Sequence, residues 1–172
     1  MLINWRRRHP AVLLLCLCLA APLAAQELRD VEKLFRGGES ALALQQADRA
    51  IAARPRDASM RFLRGVMLSE AKREAEAIDA FTRLTEDFPD LPEPYNNLAV
   101  LYAAQGKIDK ARELLETALR HDPSYFTAHE NLGDVFMRLA RREYERAAAS
   151  GRGDPELERK LKLARQLTPS GP

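Results

Sequence analysis

The chain has 172 residues, 46% hydrophobic and 30% charged, enough for one domain with a continuous core. Its 27 basic and 25 acidic residues nearly balance at a formal +2, so no basic field marks a nucleic acid or an anionic membrane as partner. Both cysteines, Cys16 and Cys18, lie in the first 25 residues, so the rest of the chain has no disulfide, thiol nucleophile or cysteine metal site.

Residues 1–25 read as a secretory signal peptide. Arg6, Arg7 and Arg8 give a basic start, "AVLLLCLCLAAPLAA" is an apolar run ending in small residues, and Ala25 precedes Gln26. The run is shorter than the roughly 20 apolar residues that a membrane span needs. Leu15 and Leu17 are large where lipid attachment to a cysteine requires a small preceding residue, so a lipid anchor is not expected. Without the three leader arginines, 24 basic residues face 25 acidic ones, a formal −1. The mature chain is therefore expected to be periplasmic or secreted, with no membrane association after cleavage.

From Gln26 onward the sequence repeats. Pro55, Pro89 and Pro123 recur at one constant interval, the period of about 34 residues that suits a two-helix unit. At the same period Ala43, Ala77 and Ala111 coincide, as do Ala47, Phe81 and Leu115, and Ala50, Leu84 and Ala118. Val31, Gly65, Ala99 and Gly133 share another offset, and Leu34, Leu68, Tyr102 and Phe136 a further one. Small and large apolar residues at fixed offsets predict a helix–turn–helix unit stacked on its own copies. On these residues the chain resembles the tetratricopeptide repeat (TPR) family, and phrases such as "LPEPYNNLAVLYAAQG" are similar to those of short exported proteobacterial members. The resemblance implies an all-α helical solenoid over residues 26–167.

The units follow in order: residues 26–57, with Gly37 and Gly38 at the turn; 58–91, with no glycine there; and 92–125, the most regular. In the third, Tyr95, Leu98 and Tyr102 form an amphipathic first helix, Gly106 ends it in a left-handed C-cap, and Asp109 and Lys110 are expected to open the second helix. A degenerate fourth unit, 126–150, lacks any turn residue in "RREYERAAASG", so one long helix is expected from about 127 to 149. Gly151 and Gly153 then break the chain. Asp154 and Pro155 are expected to start a capping helix, 154–167, with a frayed tail at 168–172.

No catalytic constellation is visible. His121 and His129 stand in different elements, and His129 occupies the offset of Tyr95, which suggests packing. No paired carboxylates are placed across a cleft, no glycines form a phosphate loop, and the "RGD" of Arg152 to Asp154 reads as a hinge and an N-cap. No cofactor, metal or enzymatic activity is expected.

The resemblance, in contrast, implies a binding groove lined by set offsets of each first helix. Carried onto this chain they include Phe62 and Val66; Glu93, Asn96, Asn97 and Val100; and Thr127, Glu130, Asn131, Asp134 and Arg138. Asn97 matches the asparagine with which some members clamp a peptide carboxylate. The basic companions are missing, because Phe62, Val66, Thr127 and Asn131 stand in their places. The expected partner is another protein, presenting a peptide or helix with apolar side chains and a basic residue or two. The expected role is that of an exported scaffold or adaptor for a cell-envelope protein. The alternative is a weakly self-associating structural module, with Arg138, Arg141, Arg142 and Arg146 of the long helix as its contact surface.

Overall fold

The structure is a computed structural model that describes residues 10–151 and 154–168, with side chains from Leu23 onward. The leader arginines, the cysteine side chains, Gly153 and residues 169–172 lie outside the described residues. Among the described residues there are eight α-helices and no strand: α1 (Pro10–Arg36), α2 (Ser40–Ala53), α3 (Ala58–Glu70), α4 (Glu74–Asp87), α5 (Pro92–Ala104), α6 (Ile108–His121), α7 (Phe126–Ala149) and α8 (Pro155–Leu167). They fall into two compact units, one holding α1 to α3 and ending at Ala71, the other holding α4 to α8 from Lys72.

The repeat period is also the burial period. Ala43, Ala47 and Ala50 of α2, Ala77, Phe81 and Leu84 of α4, and Ala111, Leu115 and Ala118 of α6 are all buried. Spacings of four and three keep each trio on one helix stripe, and its alanines let a neighbouring helix approach closely. In the second unit Ala99, Ala111, Leu115, Ala118, Ala128 and Val135 form one core cluster joining α5, α6 and α7.

The turns repeat as well. Gly38, Lys72 and Gly106 occupy the same offset of successive repeats, and all three have positive φ, at 86°, 60° and 74°. At Gly106 the Lys107 N–H donates to the Tyr102 carbonyl (2.9 Å), and at Gly38 the Glu39 N–H donates to that of Leu34 (3.0 Å). These bonds reach back around a left-handed residue to close the helix end. Lys72 holds the same backbone with a Cβ, a conformation that disfavours L-residues by roughly 1–2 kcal/mol. Lys72→Gly is therefore expected to raise stability by a few tenths to about 1 kcal/mol, net of glycine's greater unfolded-state freedom; thermal denaturation followed by circular dichroism measures it.

In the fourth unit the corresponding position is Ala140, which continues α7 without interruption. α7 is thus the long helix expected from the missing turn residue, ended by Gly151 with φ 78°. Asp154 caps α8, its carboxylate accepting from the Glu156 N–H at 3.0 Å, with Pro155 in the first turn.

Two expectations are corrected. α6 starts at Ile108, and its N-cap, Lys107, makes no side-chain cap bond. Asp109 lies inside the first turn, where a carboxylate meets the positive end of the helix dipole. The first-repeat helix, expected from near Gln26, is the later part of α1, which runs unbroken from Pro10 through Ala25 and Gln26. Among the described residues no helix is long and apolar enough to cross a membrane.

Candidate functional site

In the first unit, α1 and α3 enclose a hollow of about 450 Å³. Leu63 and Val66 of α3 and Phe35 of α1 supply apolar walls; Glu32, Arg36 and Glu70 stand around them, with Ser40 and Ala71 completing the lining. Glu32 and Arg36 pair loosely along their helix at 3.8 Å. Glu70 has no such partner among the described residues, so the rim keeps one uncompensated carboxylate. Phe62 is half-buried on α3 outside this lining, while Val66 is part of it. Glu32, Phe35 and Arg36 are additions to the expected site residues. The repeat itself signals them, because they lie one period before Val66, Ser69 and Glu70.

In the second unit the expected residues fall on α5 and α7. Glu93, Thr127, Glu130, Asp134 and Arg138 are exposed, and Val100 is 47% exposed. The asparagines are arranged differently from expectation. Asn96 is only 5% exposed, and its Oδ1 accepts from the Asn131 Nδ2 at 2.8 Å. Asn97, the clamp match, donates its Nδ2 to the Glu93 carbonyl of its own helix at 2.9 Å. Asn96 is therefore corrected from a groove amide to a buried tie between α5 and α7. Its position on the helix turns it inward, and an inward amide needs a partner. The exposed residues left to a ligand on α5 and α7 are Val100 with the carboxylates Glu93, Glu130 and Asp134, and Arg138, which is tied to the Ala103 carbonyl.

The four arginines of α7 are all engaged within the chain. Arg138 donates to the Ala103 carbonyl at 3.1 Å, and Arg141 donates to the carbonyl of Thr168 after α8. Arg142 grips Asp109 of α6 with two bonds, one of them 3.0 Å, and Arg146 bonds Glu143 at 2.9 Å. The Arg142 hydrogen bond holds the Asp109 carboxyl below its ordinary value, and Arg142 is itself raised chiefly by that bond. A depressed carboxylate favours the folded chain above its unfolded pKa, and that contribution is lost as pH falls through the folded value. The pair is exposed and weak, but Arg138, Arg141 and Arg142 tie α7 to its neighbours, Arg146 pairs within α7, and the four do not form a free basic face.

His121 and His129 each have a partner within the fold. His129 is exposed, and its Nε2 lies 3.0 Å from the Pro123 carbonyl oxygen, to which it donates in the tautomer that carries the proton there. One repeat earlier the Tyr95 hydroxyl donates to the Pro89 carbonyl at 3.1 Å, and before that Arg61 donates to that of Pro55 at 3.4 Å. A polar tip at one offset thus clasps each unit-ending proline carbonyl, a role for His129 that replaces the expected packing. His121 stacks on Tyr95 with ring centroids 5.6 Å apart. Among the described residues no group of three His, Cys, Asp or Glu side chains could hold a metal ion.

Comparison with known proteins agrees with this geometry. Two tetratricopeptide repeat family models match, one over residues 31–92 and the other over residues 68–133. The chain belongs to the tetratricopeptide repeat family. It is similar to the TPR repeat-containing thioredoxin TTL4 of Arabidopsis thaliana, 38% identical over 73 residues, which is 42% of this chain and 11% of that protein. Among solved structures, the first TPR of Spaghetti (RPAP3) bound to an HSP90 peptide superposes with a TM-score of 0.62 at 20% identity, covering 68% of this chain and 93% of that one. YrrB, a TPR protein with an unusual peptide-binding site, superposes with a TM-score of 0.56 at 26% identity, covering 62% and 55% respectively. At such identities the first of these likenesses concerns the fold alone.

Proposed function

We propose that this chain is a non-enzymatic adaptor, exported from the cytoplasm, that holds a peptide or helical segment of a cell-envelope protein. The observation that carries the reading is the α1–α3 hollow, about 450 Å³ with apolar walls and an uncompensated Glu70 at its rim. Such a site takes an apolar side chain with a basic neighbour, and exposed Val100 with the carboxylates Glu93, Glu130 and Asp134 offers similar chemistry on α5 and α7. Support also comes from the similar TPR domains described with peptides. A partner ending in a clamped carboxylate fits poorly, since the site surfaces present carboxylates and Asn97 is turned to its own backbone.

Export rests on residues 1–25. Cell fractionation followed by mass measurement of the recovered chain is expected to find it outside the cytoplasm and cut after Ala25; full-length chain confined to the cytoplasm would contradict export. For binding, Leu63→Glu with Val66→Glu is expected to abolish co-purification of the envelope partner with the tagged chain while circular dichroism stays helical. Undiminished recovery of that partner would remove the α1–α3 hollow from the account.

A further inference from the structure

The fourth unit exposes a face that the third unit covers. In the third, α6 lies against α5, and its Ala111, Leu115 and Ala118 share a cluster with Ala99, 1% exposed, against which Tyr102 packs half-buried. One repeat on, α7 carries Leu132 and Gly133 at the offsets of Leu98 and Ala99, followed by Phe136 in the place of Tyr102. Here Leu132 is only half-buried, and Phe136 is 49% exposed. Gly133 is exposed, and a Cβ built on it would meet no atom within 4 Å. The cause is local: with Ala140 in place of a left-handed turn residue, the chain continues as α7 and the unit has no second helix. α8 does not replace it, because its ties reach the later part of α7, through Arg141 to Thr168 and Arg165 to Glu145.

We propose that Leu132, Gly133 and Phe136 of α7 form a docking face for one helix of another protein, of the kind that α6 provides to α5. The face is continuous with an interface already formed: Leu132 packs against the cluster of Ala111, Leu115 and Ala118, so a docked helix extends the same core. That continuity sets the chemistry of the occupant. It needs a small residue opposite Gly133, a large apolar residue four positions later and a second small residue three beyond that, as in Ala111, Leu115 and Ala118. A basic residue near its start would sit over the Phe136 ring, as Lys110 sits 3.9 Å from the Tyr102 ring centroid. The matching stripes of α2, α4 and α6 are themselves buried, so a second copy of this chain does not offer such a helix from them.

The test uses the full chain and a fluorescein-labelled synthetic peptide with the sequence of residues 107–122. Fluorescence anisotropy is expected to show saturable binding below about 1 mM, with a gain of helical circular dichroism. Phe136→Asp and Gly133→Arg, both at exposed positions, are each expected to weaken binding at least about tenfold, the loss of roughly 1.4 kcal/mol. Gly133→Ala, which restores the residue of the third unit, is expected to bind as the parent does. A peptide carrying Leu115→Lys is expected not to bind. Absence of binding, or binding indifferent to Phe136→Asp, overturns the proposal. So does sedimentation showing a dimer of the parent chain that Phe136→Asp dissolves, since the occupant would then be a second copy.

Discussion

Replacing Leu115 with alanine is expected to lower the stability of the second unit by about 2–5 kcal/mol. Leu115 is 1% exposed and sits between Ala111 and Ala118 in the cluster that also holds Ala99, Ala128 and Val135. Four of those five neighbours are alanines, whose short side chains cannot swing into the space the leucine vacates. Larger side chains such as Leu114, Leu119 and Leu132 pack only at the edge of the cluster, and close packing limits how far they fill the gap, so a cavity term adds to the lost transfer energy. Leu163→Ala provides the contrast: at 46% exposed on α8 it should change stability by no more than about 0.5 kcal/mol. Urea denaturation followed by circular dichroism measures both. Equal effects at the two sites would mean that the repeat period does not mark the core.

The second large effect is expected at the asparagine pair. Asn131→Ala removes the donor to Asn96 and leaves a 5% exposed amide oxygen without its hydrogen bond. An unsatisfied buried polar group costs about 1–3 kcal/mol. Asn96→Leu is expected to cost less, because it removes the buried polar group and leaves Asn131, which is only half-buried, free to bond water. The double variant should then resemble Asn96→Leu alone, giving a coupling of about 0.5–3 kcal/mol in a double-mutant cycle. Simple additivity, with Asn131→Ala inside about 0.5 kcal/mol, would show that the pair is not a tie.

These two sites show how far the sequence can be read. Leu115 is legible because helix contact imposes the same small–large–small demand in every repeat, and that demand survives in the letters. The asparagines are harder. Asn96 and Asn97 are adjacent amides about 100° apart on a helix, and residue type does not say which one turns inward. At the offset of Asn96 the flanking units carry Phe62 and Glu130, so the repeat gives no rule for it. The arginines of α7 resemble a free basic face in the sequence because two of their acceptors are the backbone carbonyls of Ala103 and Thr168, which a charge pattern cannot reveal. Lys72 is a similar case: the missing glycine is visible, but the backbone keeps the left-handed turn nonetheless. The proline clasp and the α1 contribution to the hollow are legible in principle, since both obey the period; extending the offsets one unit upstream finds Glu32, Phe35 and Arg36.

The measurement that bears most directly on the adaptor reading is photocrosslinking in the native cells. A benzophenone side chain is placed at Val66, in the α1–α3 hollow, at Val100 on α5, and separately at Leu163 on α8, an exposed position outside the proposed binding surfaces. A bound segment should give a discrete adduct of one mass from Val66 and from Val100, and none from Leu163. No adduct from Val66 and Val100, or the same spread of adducts from all three positions, would contradict the account.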